Sequence, residues 1–179
     1  TSNISDIVLN AGFVRNDIHI DLAEKYAETT LCGVCIGDEH DHIDNDTFIE
    51  HSASNCKSTE LFKYILDDCA VGSFAGRILV DQDSQKTEAF QSNKNICTGT
   101  HAKMYTKPQL VIYADDVKCS HGATVGQIDD GALFYLRSRG ISEKEAKMLL
   151  KLAFTNDIIE KIDIEPLRNR IKVLVEKSF

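Results

Sequence analysis

The chain has 179 residues, of which 42% are hydrophobic and 27% charged. A chain of this length buries roughly two thirds of the surface that its unfolded form exposes, so it needs no disulfide or metal to fold. No apolar run approaches the roughly 20 residues of a membrane span. The net charge of -8, without a segregated basic patch, opposes binding to phosphate backbones. Neither nucleic acid nor a membrane is therefore expected as a partner.

The first 127 residues contain short segments rich in β-branched and aromatic residues, separated by polar residues and glycine. These predict short strands, at residues 18–22, 29–36, 47–49, 62–66, 78–80 and 110–113. Such a series fits a sandwich, a barrel or a β-helix, and the lack of an exact repeat argues against a regular solenoid. Stacked coils with polar turns are favoured by amides expected at strand ends: Gln82, Gln85, Gln91, Asn93 and Asn95.

Helical patterns replace the strands after residue 127. Asp129 or Asp130 can cap a first helix, which Gly140 ends, and Ser142 with Glu145 forms a capping box for a second. A third short helix is expected to begin near Pro166. The second helix has an apolar stripe of Ala146, Leu149, Leu150, Ala153, Phe154 and Ile158, and the third has Leu167, Ile171 and Leu174. We therefore predict a strand domain, 1–127, and a helical domain, 128–179.

Two cysteine and histidine groups in the first half have the composition of metal sites. Cys32 and Cys35 form a C-x-x-C pair, but strand alternation would place their side chains on opposite faces, so two core cysteines are the favoured interpretation. The acidic run 38–44 contains His40 and His42, which would share one face of a strand, yet an exposed turn is favoured. His51 and His101 are interpreted as ordinary polar positions. The six cysteines are expected to be reduced thiols.

A third group, Cys119-Ser-His121-Gly, leaves three interpretations open. On an extended segment the thiol and the imidazole lie on one face and could bind iron or zinc. They could equally serve as the nucleophile and base of a hydrolase or transferase. The third interpretation is a turn after an edge strand. The chain has no G-x-x-x-x-G-K-[ST] nucleotide loop, no G-x-G-x-x-G and no H-E-x-x-H, so no complete enzyme signature is present.

Two long segments resemble the SufB/SufD family of iron-sulfur cluster assembly proteins. Residues 107–142, KPQLVIYADDVKCSHGATVGQIDDGALFYLRSRGIS, are similar to its C-terminal signature. Residues 74–96, FAGRILVDQDSQKTEAFQSNKNI, are similar to its second block, with the G-[RK]-I, Q-K-T and Q-x-N-x-N patterns. The C-S-H-G tetrad at 119–122 resembles the SufD branch, because SufB-like sequences tend to carry Glu after the His.

The resemblance implies a right-handed parallel β-helix followed by a small helical domain, and a non-enzymatic scaffold subunit in the cytoplasm or a plastid stroma. The implied partners are SufB, which pairs with the end of the β-helix, and the ATPase SufC, which binds the helices. A transient iron-sulfur cluster would form at the SufB interface, with His121 as a ligand. For Cys119 a packing or supporting role is favoured over that of a second ligand. No cofactor is expected in the isolated chain, which could form homodimers through its exposed end strand.

Composition of the first predicted helix suggests where SufC would bind. The segment combines aromatic and arginine side chains, which dominate interface hot spots. Leu133 and Leu136 are expected to face the β-helix. The partner would then contact some of the remaining side chains, namely Phe134, Tyr135, Arg137 and Arg139. Two alternatives to the scaffold are a Cys119–His121 enzyme and an autonomous metal protein using Cys32 with Cys35 or the run 38–44.

Overall fold

Nine strands and then three helices make up the computed structural model, which describes residues 1–179. The strands are β1 (Ser2–Leu9), β2 (Phe13–Leu22), β3 (Glu28–Gly37), β4 (His42–His51), β5 (Lys57–Leu66), β6 (Val71–Val80), β7 (Thr87–Cys97), β8 (Lys103–Ile112) and β9 (Val117–Gly126). The helices are α1 (Asp130–Ser138), α2 (Glu143–Ile159) and α3 (Glu165–Lys177). All six predicted strand segments fall on strands, but β1, β7 and β9 were not predicted.

The strands form two parallel sheets, because the chain alternates between them at every turn. One sheet has the order β1-β3-β5-β7-β9, hereafter the first sheet, and the other β2-β4-β6-β8, the second sheet. Paired residues stay in unbroken register, for example from Ser2 opposite Thr29 to Leu9 opposite Ile36. This is a parallel β-solenoid of about four turns, which confirms the predicted β-helix. The expectation that the lack of an exact repeat argues against a regular solenoid was wrong, because successive coils stay in register without repeating their sequence.

Left-handed residues recur in the turns and keep the coils aligned. One stack of turns has positive φ at Asn10, Glu39 and Asp68, and the opposite stack at Tyr26, Asn55 and Lys86. Backbone hydrogen bonds join successive turns, such as the Asn55 amide to the Gln85 carbonyl at 2.9 Å. Because each coil turns in the same way, strands of successive coils meet in the same register.

Alternate side chains of strands β3 to β7 fill the interior of the solenoid. The largest side chains in this interior include Phe62, Tyr64 and Phe74, which are fully buried. The prediction that Gln91, Asn93 and Asn95 lie at strand ends was wrong: all three are buried, inward-facing positions along β7. Gln82 and Gln85 do lie in a turn, between β6 and β7. The interior therefore combines an apolar core with a row of buried amides.

The helix caps were predicted correctly. The Ala132 amide donates to Asp129 Oδ1 at 2.6 Å, Gly140 has a φ of +88°, and Ser142 with Glu145 forms the capping box. Pro166 lies in the first turn of α3.

The helices bury different faces from those predicted. Of the α2 stripe, Leu149 and Ala153 are exposed, whereas Lys151, Thr155 and Ile159 are buried in addition to Ala146 and Ile158. In α3, Ile171 is buried with Val175, whereas Leu167 and Leu174 are exposed. The apolar period alone did not identify these faces, because α2 also buries the polar side chains of Lys151 and Thr155.

α2 and α3 pack on the outer face of the first sheet. Cys32, Val34 and Ile36 of β3 share one hydrophobic cluster with helical residues that include Ile158 and Val175. Lys63 Nζ of β5 donates to the Phe154 carbonyl at 2.7 Å and contacts Asp157 Oδ1 at 2.7 Å.

The change from strand to helix falls between Gly126 and Asp130, and the predicted division into domains 1–127 and 128–179 stays a prediction. None of the three helices is both long and apolar enough to span a bilayer.

Candidate functional site at the open end of the solenoid

The solenoid ends on β9, whose inward face is left uncovered. β9 is the last strand of the first sheet, and the second sheet ends with β8, so no strand lies opposite the distal part of β9. Residues 120–127 are all exposed as a result. β8 and β9 each present one unpaired backbone edge, which is the feature by which strands add to a sheet of another chain. This end can therefore accept a protein partner.

Cys119 and His121 lie on the inward-facing side of β9. Their register partners on β7 are Ala89 and Gln91, both buried inward. Cys119 is half-buried and packs against the cluster that contains Ile49 and Ile78, and burial raises the pKa of its thiol. A raised pKa disfavours the thiolate that a nucleophile or a metal ligand requires. The structure thus gives Cys119 a packing contact.

His121 is exposed at the point where the inward face of β9 becomes open. Directly below it in register is Gln91, and below Gln91 is Glu60, both buried. An imidazole here offers one nitrogen ligand to a neighbouring molecule. No group of three or more His, Cys, Asp or Glu side chains converges anywhere in the chain, so a metal bound to His121 would require ligands from a partner.

Phe134 and Tyr135 are largely exposed on α1, at 74% and 58%. Arg139 stacks on Tyr135, with its guanidinium carbon 5.3 Å from the ring centroid, and Arg137 Nη1 lies 3.4 Å from Glu143 Oε2. Leu133 and Leu136 are half-buried. α1 follows β9 directly, so this aromatic and arginine surface is continuous in sequence with the strand that carries His121. Its role in partner binding stays a prediction.

The two alternative metal sites do not assemble, and Cys32 with Cys35 are buried core cysteines, as the favoured interpretation held. Cys35 faces the solenoid interior, whereas Cys32 faces the helices and its Sγ lies 3.7 Å from Lys161 Nζ. The two thiols cannot bind one ion together. His40 is exposed in the turn before β4, as the favoured interpretation held, and it does not share a strand face with His42.

His51 was wrongly interpreted as an ordinary polar residue. It is fully buried, with Nε2 2.9 Å from Ser58 Oγ, and burial lowers its pKa to about 4. His101 is exposed in the turn before β8, as an ordinary polar residue would be.

Sequence reasoning also missed the buried pair Glu60 and Gln91. A signal for them exists, because Glu60, Gln91 and His121 recur at intervals of one solenoid coil. An alignment of each coil's sequence with that of the next coil would have placed these three residues at equivalent positions.

Comparison with known proteins agrees with this architecture. The family model described as SUF system FeS cluster assembly, SufBD core domain, matches residues 1–154. The chain belongs to the SufBD family. It is 37% identical over 164 residues to the iron-sulfur cluster assembly protein SufD of Escherichia coli, covering 92% of this chain and 39% of that protein. This likeness agrees with the SufD-type C-S-H-G tetrad at 119–122.

Further relatives extend to photosynthetic organisms. An iron-sulfur cluster assembly SufBD family protein of Synechocystis is 37% identical over 176 residues, which cover 95% of this chain and 38% of the relative. Protein ABCI7, chloroplastic, of Arabidopsis thaliana is 28% identical over 161 residues, 88% of this chain and 34% of the relative. The chain thus spans less than two fifths of the length of these SufBD proteins.

Proposed function

We propose that the chain is the solenoid end of a SufD-type scaffold subunit that takes part in iron-sulfur cluster assembly without catalysis of its own. The cluster is the cargo. SufB pairs with the open end of the solenoid, and SufC supplies the ATP chemistry, for which this sequence has no nucleotide loop. Its place of action is the cytoplasm, or a plastid stroma as for the chloroplastic relative.

One observation carries the proposal: His121 is exposed on the uncovered inward face of β9, at the end of the solenoid where β8 and β9 each have a free edge. A partner that extends either sheet would bring its own side chains next to the imidazole. A cluster under assembly must later be released, and one imidazole shared with a partner's thiolate suits release better than four cysteines from one chain. Cys119 supports the strand by packing.

The decisive experiment replaces His121 in the assembled complex. A full-length subunit that contains this chain is co-purified anaerobically with SufB and SufC, and iron and acid-labile sulfide are measured. We expect His121→Ala to assemble normally but to lose most of both, because the cluster loses a ligand. His101→Ala, which removes an exposed turn histidine, should match the wild type. Equal iron and sulfide in His121→Ala would contradict the proposal and make the chain purely architectural.

A further inference from the structure

A column of three polar side chains runs through the interior to the open end of the solenoid. Glu60 on β5 is in register with Gln91 on β7, which is in register with His121 on β9. Glu60 is 1% exposed and Gln91 3%. Because paired residues of parallel strands point to the same side, the three side chains stack at the spacing of adjacent strands, about 4.8 Å.

A hydrogen bond to Glu60, the preceding residue of the column, determines the orientation of the Gln91 amide. Its Nε2 donates to Glu60 Oε2 at 2.7 Å. On the opposite side of the interior, a Cβ at Gly76 would lie only 2.5 Å from this nitrogen, so the absence of a side chain there makes room for the amide. Burial raises the pKa of Glu60, which favours an uncharged acid at the base of the column.

The upper half of the column is incomplete. Gln91 Oε1 is buried and has no hydrogen-bond partner. A buried acceptor without a partner destabilises the fold, and native proteins contain few such atoms. Since Nε2 is bound to Glu60, Oε1 is the atom of Gln91 that remains for the next residue in the column, His121.

We propose that Gln91, anchored by Glu60, is a positioning residue for His121. Gln91 Oε1 accepts a hydrogen bond from one ring N–H of His121, which selects the tautomer and leaves the other ring nitrogen free. Imidazoles that bind metals commonly donate their second N–H to a carbonyl or carboxylate in this way, and this contact orients the ring. Only the use of the free nitrogen for the cluster rests on the proposed function.

The test reads the tautomer of His121 directly. The 179-residue chain is labelled with ¹⁵N-histidine, and long-range ¹H–¹⁵N spectra are recorded at pH 8, with His121→Ala to assign the resonances. We expect a single dominant tautomer in the wild type and a mixture in Gln91→Leu. Asn93→Leu is the matched control: it removes another buried amide of β7, but one in register with Ala123, so His121 should not change.

Variants of Glu60 test the anchor. Glu60→Gln keeps an acceptor for Gln91 Nε2 and should preserve the tautomer, whereas Glu60→Leu should not. Should Gln91→Leu fail to fold, Gln91→Asn withdraws the same carbonyl by one methylene and is expected to give the same mixture. Identical His121 spectra in the wild type and in the folded Gln91 variant would overturn the proposal, as would an equal effect of Asn93→Leu.

A second readout separates this proposal from the proposed function. In the assembled complex, Gln91→Leu should lower the affinity for iron by about 10- to 100-fold. This is the range found when a residue that hydrogen-bonds to a metal ligand is lost. If the tautomer changes but His121→Ala leaves iron unaffected, the positioning contact stands and the cluster function fails. If His121→Ala abolishes iron but Gln91→Leu changes neither tautomer nor iron, only the positioning role fails.

Discussion

His51 is the residue whose environment departs furthest from what its sequence neighbours suggest. It lies inside the solenoid, where the only hydrogen bond of its ring is to Ser58, and Nδ1 has no partner. Burial lowers its pKa to about 4, compared with about 6.5 for an exposed imidazole. The folded chain therefore carries this side chain in its neutral form at neutral pH.

Acid should destabilise the fold through His51. Between pH 6.5 and pH 4 the unfolded chain binds the proton and the folded chain does not, so the free energy of unfolding falls as the pH is lowered through this window. We expect a loss of about 3 kcal/mol that is absent in His51→Gln, which keeps a donor near Ser58. Urea unfolding of both proteins at pH 7 and pH 4 measures the difference. Parallel losses in the two proteins would show that other groups cause the acid sensitivity.

Helix α1 is the element that exposes the most unpartnered aromatic surface. None of its residues is buried, and it is held by the Asp129 cap and by contact with α2. Phe134 and Tyr135 point away from the half-buried Leu133 and Leu136. The stacking of Arg139 on Tyr135 preorganises a flat cationic surface of the kind that protein interfaces use.

Loss of the α1 arginines should weaken binding of SufC. We expect Arg137→Ala with Arg139→Ala to reduce affinity at least tenfold, since truncated hot-spot residues cost about 2 kcal/mol or more. Arg170→Ala, which removes an exposed arginine of α3, is the matched control. Calorimetric titration of the full-length subunit with SufC measures the affinity. Unchanged binding by a folded double variant would exclude α1 as the contact.

At the scale of the whole molecule, two buried lysines join the helices to the solenoid. Lys63 reaches from β5 to the Phe154 carbonyl and to Asp157, and Lys151 reaches from α2 to Asp67 Oδ2 at 3.0 Å. Both lysines are almost fully buried, whereas Asp157 is about half exposed. Removal of Asp157 would therefore leave a buried ammonium, whereas removal of the Lys63 ammonium would leave a carboxylate that water can reach.

Asp157→Ala should destabilise the chain more than Lys63→Met. The first leaves a buried ammonium with one carbonyl partner, which we expect to cost about 2 kcal/mol. The second replaces the lysine by an apolar side chain and leaves a carboxylate that water can reach, so its cost should be below about 1 kcal/mol. Guanidinium unfolding of both variants tests the order. A larger cost for Lys63→Met, which keeps an apolar stem, would show that the ammonium contacts hold α2 and would contradict the expected order.

The sequence by itself determined the local structure and the family. Alternation in residues 17–22, the Asp129 cap and the Ser142–Glu145 capping box depend on neighbours within a few residues, and each was found as predicted. The two long blocks at 74–96 and 107–142 were sufficient to indicate the SufB/SufD family and, with it, the β-helix.

Only the tertiary structure decided which distant residues meet. Gln91, Asn93 and Asn95 face inward because β7 stacks on β5, and His51 is buried because β4 lies between β2 and β6. The stacked pairs Glu60–Gln91 and Gln91–His121 join residues about one coil apart, and the turns between strands set their register. A local hydrophobic period cannot specify that register, since polar residues inside a strand have the same spacing as those facing water. The column beneath His121 is therefore a product of coil stacking.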